Sequence, residues 1–321
     1  MNTILVSGAS GVVGYGILRS LRKWSKHLRL VGTTIYDDSA AQGFCDIFEQ
    51  APPTSDAGYL DWLSKIISAH QVDLIIPGIE ADMYRWIESV DELERGGTVK
   101  AMLNAPTLIA LCQDKWTFFE MLSKASLPCV IETTLDSDFD ALASRLGLPF
   151  LLKPRKGFGS KGIVRIDSLA TFLEHRAQTG TVLMAQPIIG TDNEEYTTSA
   201  FCDGQGGFHA HMTLKRKLSS DGFTDRAEVV QVDDIAETVR ELCGVFRPVG
   251  PTNFQFRRHQ GALKLLEINP RVSSATSIRT AFGYNECAMA VEYYLEGKTP
   301  HQPAIRPGRA VRYTEDLIFY S

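Results

Sequence analysis

Residues 265–272 read Leu-Leu-Glu-Ile-Asn-Pro-Arg-Val, an apolar run in which Glu267, Asn269 and Arg271 recur at every second position. A period of two puts these three on one face of a strand and turns Leu266, Ile268 and Val272 toward apolar neighbours. A carboxylate and an amide oxygen two residues apart suit a hard divalent cation such as Mg²⁺. The guanidinium just beyond suits a phosphate or a carboxylate. An ordinary half-exposed edge strand gives the same octapeptide, so the neighbouring segments decide between the two readings.

Upstream, the run Thr252-Asn-Phe-Gln-Phe256 sets Gln255 opposite in sense to its two phenylalanines, twelve residues before Glu267. The turn signal Gln260-Gly261 between the two runs predicts an antiparallel hairpin. Gln255, Glu267 and Asn269 then converge on metal from adjacent strands. Direct opposition of Gln255 and Glu267 requires an odd-numbered loop or a bulge.

Two further segments carry phosphate and base chemistry. In LLKPRKGFGSKGI (151–163), Lys153 ends a strand and is followed by Gly157, Gly159, Ser160, Lys161 and Gly162. Glycines let backbone N–H groups approach phosphate oxygens, Ser160 adds a donor, and the lysines neutralise charge. The spacing does not fit a P-loop, because Gly162 is followed by Ile163 and Val164. In VLMAQPIIGTDNEEYTTSAF (182–201) a buried strand ends at Gln186, and a short connector leads to Glu195. Ile188 and Ile189 can offer backbone groups to an adenine edge, Gln186 its side chain to the exocyclic amine, and Glu195 its carboxylate to ribose hydroxyls.

The first hundred residues alternate strand patterns (TILVSG, LRLVGTTIY, DLIIPG, TVKAML) with helix patterns (VVGYGILRSLRKW, YLDWLSKIISAH, ADMYRWIESVDELE). That alternation predicts a parallel sheet with crossover helices. Short helical patterns, TLIALC and DKWTFFEMLSKA, follow, then VIETT and the helix DFDALASRLG. After them the strands GIVRI, TVLMAQPII, EYTTSAFCD, GGFHAHMTLKRK, TNFQFRRH and ALKLLEI carry hairpin signals at Asp203-Gly204, Gly206-Gly207 and Gln260-Gly261. The second half is therefore α+β with an antiparallel sheet.

At 321 residues, with 44% hydrophobic and 22% charged residues, the chain suits a soluble protein of two or three lobes. A net charge of −5 argues against general affinity for nucleic acid or an anionic membrane. With no basic leader and no membrane-length apolar run, the expected location is cytoplasmic. The six cysteines are scattered, with no C-x-x-C pair, and read as reduced thiols without a zinc site.

Taken together, Asp114-Lys115 at a helix start, Lys153 with its Gly-rich loop, QPIIG followed by Glu195-Tyr196-Thr197, and GPTNFQF followed by LLEINPR resemble the ATP-grasp superfamily, of the kind found in carbamoyl phosphate synthetase large subunits. The resemblance covers roughly residues 107 to 300. It implies a Rossmann-like N-terminal lobe (1–106) followed by an ATP-grasp domain (107–321). A small lid subdomain would span about 115–186, and the C-terminal lobe would hold the antiparallel sheet. It implies that Lys115 and Lys153 hold ATP phosphates and that the 155–162 loop closes over them as a lid ordered by nucleotide. Gln186, Ile188, Ile189 and Glu195 would seat the adenosine. Gln255, Glu267 and Asn269 would bind two Mg²⁺ ions, with Mn²⁺ as a substitute, and Arg271 would stabilise the transferring γ-phosphate.

Lys215, Arg216 and Lys217 fall where the family often keeps a basic residue. Alternation allows Lys215 with Lys217, or Arg216 alone, to face the site, and Lys215 is taken as the catalytic candidate. Arg271, Arg279 and the stretch Ser273 to Ser277 stand at the substrate end, with Arg279 a candidate carboxylate clamp and Ser273 beside it. The stretch Val272-Ser273-Ser274-Ala275-Thr276 departs from the family's usual glycine-containing turn, which leaves substrate identity open. The chain accommodates one ATP-grasp unit, so the complete carbamoyl phosphate synthetase reaction is not expected.

The implied activity is a C–N-forming ligase that uses ATP to activate a small carboxylate for attack by an amine or another nucleophile; a homodimer is compatible with it. Two other functions compete. Gly8, Gly11 and Gly14, with Asp37 and Asp38 after the next strand, fit a dinucleotide fingerprint and hence an NAD(P)-dependent dehydrogenase or epimerase. The Tyr-x-x-x-Lys that such an enzyme needs is met only by Tyr294 and Lys298, at a helix end broken by Gly297. A non-catalytic ATP sensor would use the same pocket without turnover.

Overall fold

The computed structural model describes residues 1–95, 97, 99–157 and 161–319. Its first sheet contains β1 (Thr3–Val6), β2 (Arg29–Thr34), β3 (Ile47–Gln50), β4 (Leu74–Ile76) and β5 (Lys100–Ala101), all parallel, in the order β3-β2-β1-β4-β5. β1 and β4 are buried throughout, and apolar but for Thr3, because helices cover both faces. Helices α1 (Val12–Trp24) and α2 (Tyr59–His70) coincide with their sequence patterns. The pattern ADMYRWIESVDELE, which reads as one helix, is split into α3 (Glu80–Ile87) and α4 (Val90–Leu93), because Ser89 leaves the helical region at φ −132°.

Gly14 and Gly78 of the first lobe are required by packing. A Cβ on Gly14 would stand 2.3 Å from the carbonyl oxygen of Gly8, and one on Gly78 would stand 2.1 Å from that of Ser7. Only glycine lets α1 and the turn after β4 sit this close to the end of β1.

Next come α5 (Pro106–Cys112), α6 (Lys115–Lys124) and α7 (Phe139–Leu146). Asp114 caps α6 by accepting a hydrogen bond from the Trp116 backbone N–H at 2.9 Å. VIETT forms no strand and pairs only through a bridge from Thr134 to Ala185. A small antiparallel sheet follows, β6 (Phe150–Pro154), β7 (Val164–Ile166) and β8 (Leu183–Pro187), in the order β7-β6-β8. With α7 and α8 (Leu169–His175) it encloses its own core, where Phe139, Phe150 and Phe172 pack with ring centroids 5.5 to 6.4 Å apart.

The largest sheet comprises β9 (Glu195–Asp203), β10 (Phe208–Leu218), β11 (Thr224–Val229), β12 (Val249–His259), β13 (Ala262–Asn269) and β14 (Arg309–Val311), in the order β13-β12-β9-β10-β11-β14. Helix α9 (Asp233–Phe246) covers one face. There Tyr196, Ala200, Cys202, Phe254 and Phe256 meet Ile235, Val239 and Leu242. Helices α10 (Thr276–Ala281) and α11 (Glu286–Glu296) pack on the other face, in a core that also takes in α1 and residues from both halves of the chain. β12 and β13 are joined through Gln260 (φ 51°) and Gly261 (φ 79°), a two-residue turn with both φ values positive. No helix among the described residues is long and apolar enough to cross a membrane.

Candidate active site

The octapeptide owes its chemistry to a bulge. Gln255 pairs with Glu267, but Phe256 pairs with Leu265, so Leu266 is the extra residue. The bulge turns Leu265 into the α9 core beside Ile268 and leaves Glu267 and Asn269 together on the opposite face. Direct opposition of Gln255 and Glu267, which required an odd loop or a bulge, is thus achieved by the bulge. Asn269 Nδ2 donates to Glu267 Oε1 at 3.0 Å.

The pairing extends this polar face across four strands. On it Arg216 lies opposite Glu195, Gln255 opposite Thr197, and Arg257 opposite Glu195 on the other side. Arg216 is buried; it donates to Glu195 Oε1 at 2.9 Å and to Gln255 Oε1 at 2.5 Å. Arg257 donates to Glu195 Oε2 at 2.8 Å and to Asp192 at 2.7 Å. Lys215, the sequence candidate, points to the other face opposite Tyr196, because β10 keeps strict alternation here. Arg216 alone of the three basic residues joins this cluster. Glu195, the residue expected to meet ribose hydroxyls, is bound by two guanidinium groups.

The small sheet supplies the opposing wall. Lys153 at the end of β6 is half-buried, and burial pushes its pKa down to about 8, with Glu267 and Glu195 pulling it up and Arg257 and Lys115 pushing it further down. Lys115, the first residue of α6, donates Nζ to Gly157 O at 2.5 Å, and its backbone N–H donates to Arg155 O at 2.8 Å. Arg155 in turn bonds Asp114 at 2.6 and 3.2 Å. Lys161 is exposed. Gly159 and Ser160 lie outside the described residues, and so does the middle of the expected 155–162 lid.

Gln186, at the end of β8, is fully buried. The Thr133 hydroxyl donates to Ile131 O at 3.1 Å, so its lone pair accepts from Gln186 Nε2 at 2.7 Å. This orients the amide and leaves Gln186 Oε1 buried without a hydrogen-bond donor among the described residues. Ile189 is buried in the adjoining connector, Ile188 is half-buried, and Arg257 Nη1 reaches Ile189 O at 3.5 Å. His259 Nδ1 accepts from Gly190 N–H at 3.1 Å and ties that connector to β12.

The substrate end differs most from expectation. Arg271 is not on the strand face. β13 stops at Asn269, and a turn closed by Arg271 N–H to Asn269 O at 2.8 Å carries the side chain toward the first lobe. There Arg271 Nη2 bonds Glu80 Oε1 at 2.5 Å, and Nη1 bonds Val272 O at 2.9 Å. Tyr84, one turn along α3, and Cys112, at the end of α5, adjoin this pair. Burial raises the pKa of both groups, and the negative charges of Glu80 and Glu267 raise them further, so the hydroxyl and thiol stay protonated.

Arg279 is not a clamp. It is 0% exposed, donates to Ser273 Oγ at 2.6 Å, Thr197 Oγ1 at 3.0 Å and Asn253 Oδ1 at 3.0 Å, and faces Glu286 at 3.6 Å. The reason is α10, whose second turn carries Arg279 inward onto the sheet. Ser273 is likewise buried as its acceptor. Spacing did not reveal Arg257 as a neighbour of the metal-type residues and left Arg216 as one of two alternatives; for Glu80 the signal was the stretch IIPGIEADM, read as closing the site from the first lobe.

Residues 182–317 match the family described as ATP-grasp in the biosynthetic pathway with Ter operon. The carbamoyl phosphate synthase large chain of Thermomicrobium roseum is 27% identical over 179 residues, 51% of this chain and 16% of that one. The large chain from a Thermotoga species is 24% identical over 294 residues, 77% of this chain and 26% of that one. The chain has an ATP-grasp fold. The fold match extends over nearly the whole chain. N5-carboxyaminoimidazole synthetase from Staphylococcus aureus superposes with a TM-score of 0.73 at 18% identity, covering 95% of this chain and 80% of that one. The biotin carboxylase domain dimer of Hydrogenobacter thermophilus 2-oxoglutarate carboxylase, solved with MgADP, ADP and bicarbonate, superposes with a TM-score of 0.71 at 15% identity, covering 96% and 73%.

Proposed function

We propose that this ATP-grasp protein is a Mg²⁺-dependent ligase that transfers the γ-phosphoryl group of ATP to a small carboxylate and delivers the acylphosphate to an amine. The observation that carries the nucleotide half of this reading is Gln186. Its amide is fixed by Thr133, and its buried Oε1 lacks a donor among the described residues, which an exocyclic amino group such as that of adenine supplies. A 6-oxo purine would set oxygen against oxygen there.

The donor set fits magnesium. Gln255, Glu267 and Asn269 offer hard oxygen atoms, and among the described residues no group of three His, Cys, Asp or Glu side chains forms a cage of its own. One carboxylate with two amides suits a metal held mainly by substrate phosphates, as Mg²⁺ commonly is. Bound there, two such ions, or Mn²⁺ in their place, would neutralise phosphoryl oxygen charge. Lys115 and Lys153 hold the phosphates from the small-sheet side, and Arg216 fixes Gln255 and Glu195 from beneath. Arg271, released from Glu80, meets the transferring group, where a two-pronged guanidinium contact stabilises the charge that develops. The chain divides for this purpose into a first domain to residue 106 and an ATP-grasp domain from 107, with 115–186 as the small lobe over the nucleotide. The neighbour described as a dimer gives a homodimer as the assembly to test.

A screen of amino acids and small carboxylates for acid-stimulated ADP release in the presence of Mg·ATP tests the reading. One class of acid should stimulate release. A thermal shift with NAD(H) or NADP(H) and none with Mg·ATP, which at a hundred times its Kd should add about 2.7 kcal/mol, would overturn it.

A further inference from the structure

We propose that Glu80 is the dock and proton acceptor for the attacking amine. This rests on the ligase reading above and specifies its nucleophile. Glu80 opens α3, where the helix N-terminus favours its negative charge. Its side chain is only 16% exposed, and Arg271 is the one hydrogen-bond partner of its carboxylate among the described residues. When Arg271 turns to the phosphoryl group, a largely buried carboxylate is left without a cation. Such a group is strongly destabilised unless a new positive partner arrives. The reacting site must therefore bring a cation to Glu80, and an ammonium group is the one a C–N-forming ligase supplies.

The neighbouring groups leave Glu80 alone in this role. Glu195 is bound by Arg216 and Arg257, and Glu267 belongs to the metal face. Asp82 faces into the first lobe, where Thr54 and Tyr59 donate to it at 2.5 and 2.8 Å. Tyr84 and Cys112 are held in their protonated forms, so neither takes a proton. The balanced step is then direct. An N–H proton of the ammonium passes to a Glu80 carboxylate oxygen, and the freed nitrogen lone pair forms the C–N bond at the acyl carbon. The acyl C–O bond to phosphate breaks, phosphate leaves with that electron pair, and the second N–H proton passes to the departing phosphate, which leaves as hydrogen phosphate.

Hydroxylamine separates this proposal from the reading beneath it, because it is uncharged at neutral pH, traps acylphosphates as hydroxamates and needs no anionic dock. Wild type and Glu80→Gln are assayed with Mg·ATP and a panel of carboxylates. Hydroxylamine serves as one nucleophile, and ammonium, methylamine and the common amino acids serve as the others. Both reactions are read on the same preparation, so any loss of folded protein cancels in their ratio. Coupling to the preferred amine, as kcat/KM, should fall in Glu80→Gln about tenfold or more relative to hydroxamate formation, and Glu80→Asp should recover part of it. Equal losses in the two reactions would overturn the proposal and leave Glu80 as a holder of Arg271. Hydroxamate without coupling to any amine would also overturn it. Absence of hydroxamate from every acid would overturn the ligase reading and the proposal with it.

Discussion

Replacing Lys153 with Met should stabilise the nucleotide-free protein and abolish its response to nucleotide. The Lys153 ammonium is half-buried beside two other cations, and its pKa falls from 10.5 to about 8 on folding. That drop corresponds to about 3 kcal/mol of destabilisation while the group is charged, an upper bound on what Lys153→Met regains, since the methionine keeps most of the stem's packing. The sign follows from proton binding. Above pH 8 the unfolded chain holds a proton that the folded chain has lost, so wild-type stability rises with pH between about 8 and 10.5. The penalty is therefore complete below about pH 8 and relieved through that window. Denaturant unfolding of both proteins without nucleotide, at pH 7 and again near pH 10, checks this. The variant's midpoint should exceed that of wild type at pH 7, and the gap should narrow at high pH. Adding Mg·ATP should raise the midpoint of wild type only. A variant less stable than wild type at pH 7, or one still protected by Mg·ATP, would show that Lys153 is not a desolvated cation awaiting phosphate.

Three other perturbations probe the remaining walls of the site. Glu267→Gln keeps shape and an acceptor oxygen but removes the one carboxylate of the metal face; the variant should fold and lose Mg²⁺-dependent ADP formation, and near-normal turnover at saturating Mg²⁺ would remove Glu267 from that role. Arg271→Ala should leave nucleotide affinity within severalfold while cutting acid-dependent ADP release by orders of magnitude, and Arg271→Lys should rescue only in part; normal turnover in Arg271→Ala would make the arginine structural. Arg279→Met leaves Glu286 buried without its counter-ion and should cost about 3 to 5 kcal/mol of stability, seen as a lowered unfolding midpoint. An unfolding midpoint equal to that of wild type, joined to a raised KM for the acid, would restore Arg279 as a substrate contact.

How much of this was legible in the sequence depended on whether one segment's pattern was enough. The parallel sheet with α1 and α2, and the convergence of Gln255, Glu267 and Asn269, follow from local periodicity and one hairpin signal. Arg216 was not separable from Lys215 and Lys217, because alternation names two faces without saying which one is the site; the pairing of Arg216 with Glu195 decides it. Arg271 was misread as a strand-face residue because its direction comes from a turn after β13 and a partner 191 residues away. Arg279 looked available because neither α10 nor the buried Glu286 that it faces had been recognised in the pattern. The first-lobe glycines matched a dinucleotide fingerprint because close helix packing and pyrophosphate binding both require a missing Cβ.

Positional isotope exchange tests the central claim most directly, because it detects reversible phosphoryl transfer to a carboxylate before any nucleophile acts. ATP labelled with oxygen-18 in the β,γ-bridge is incubated with Mg²⁺, the protein and the acid found in the screen, and the recovered ATP is analysed. The account predicts acid-dependent scrambling of the label into the nonbridging β-phosphoryl positions, lost in Glu267→Gln. Acid-stimulated ADP release with the label fully retained in the bridge, or scrambling that proceeds equally without acid, would contradict it.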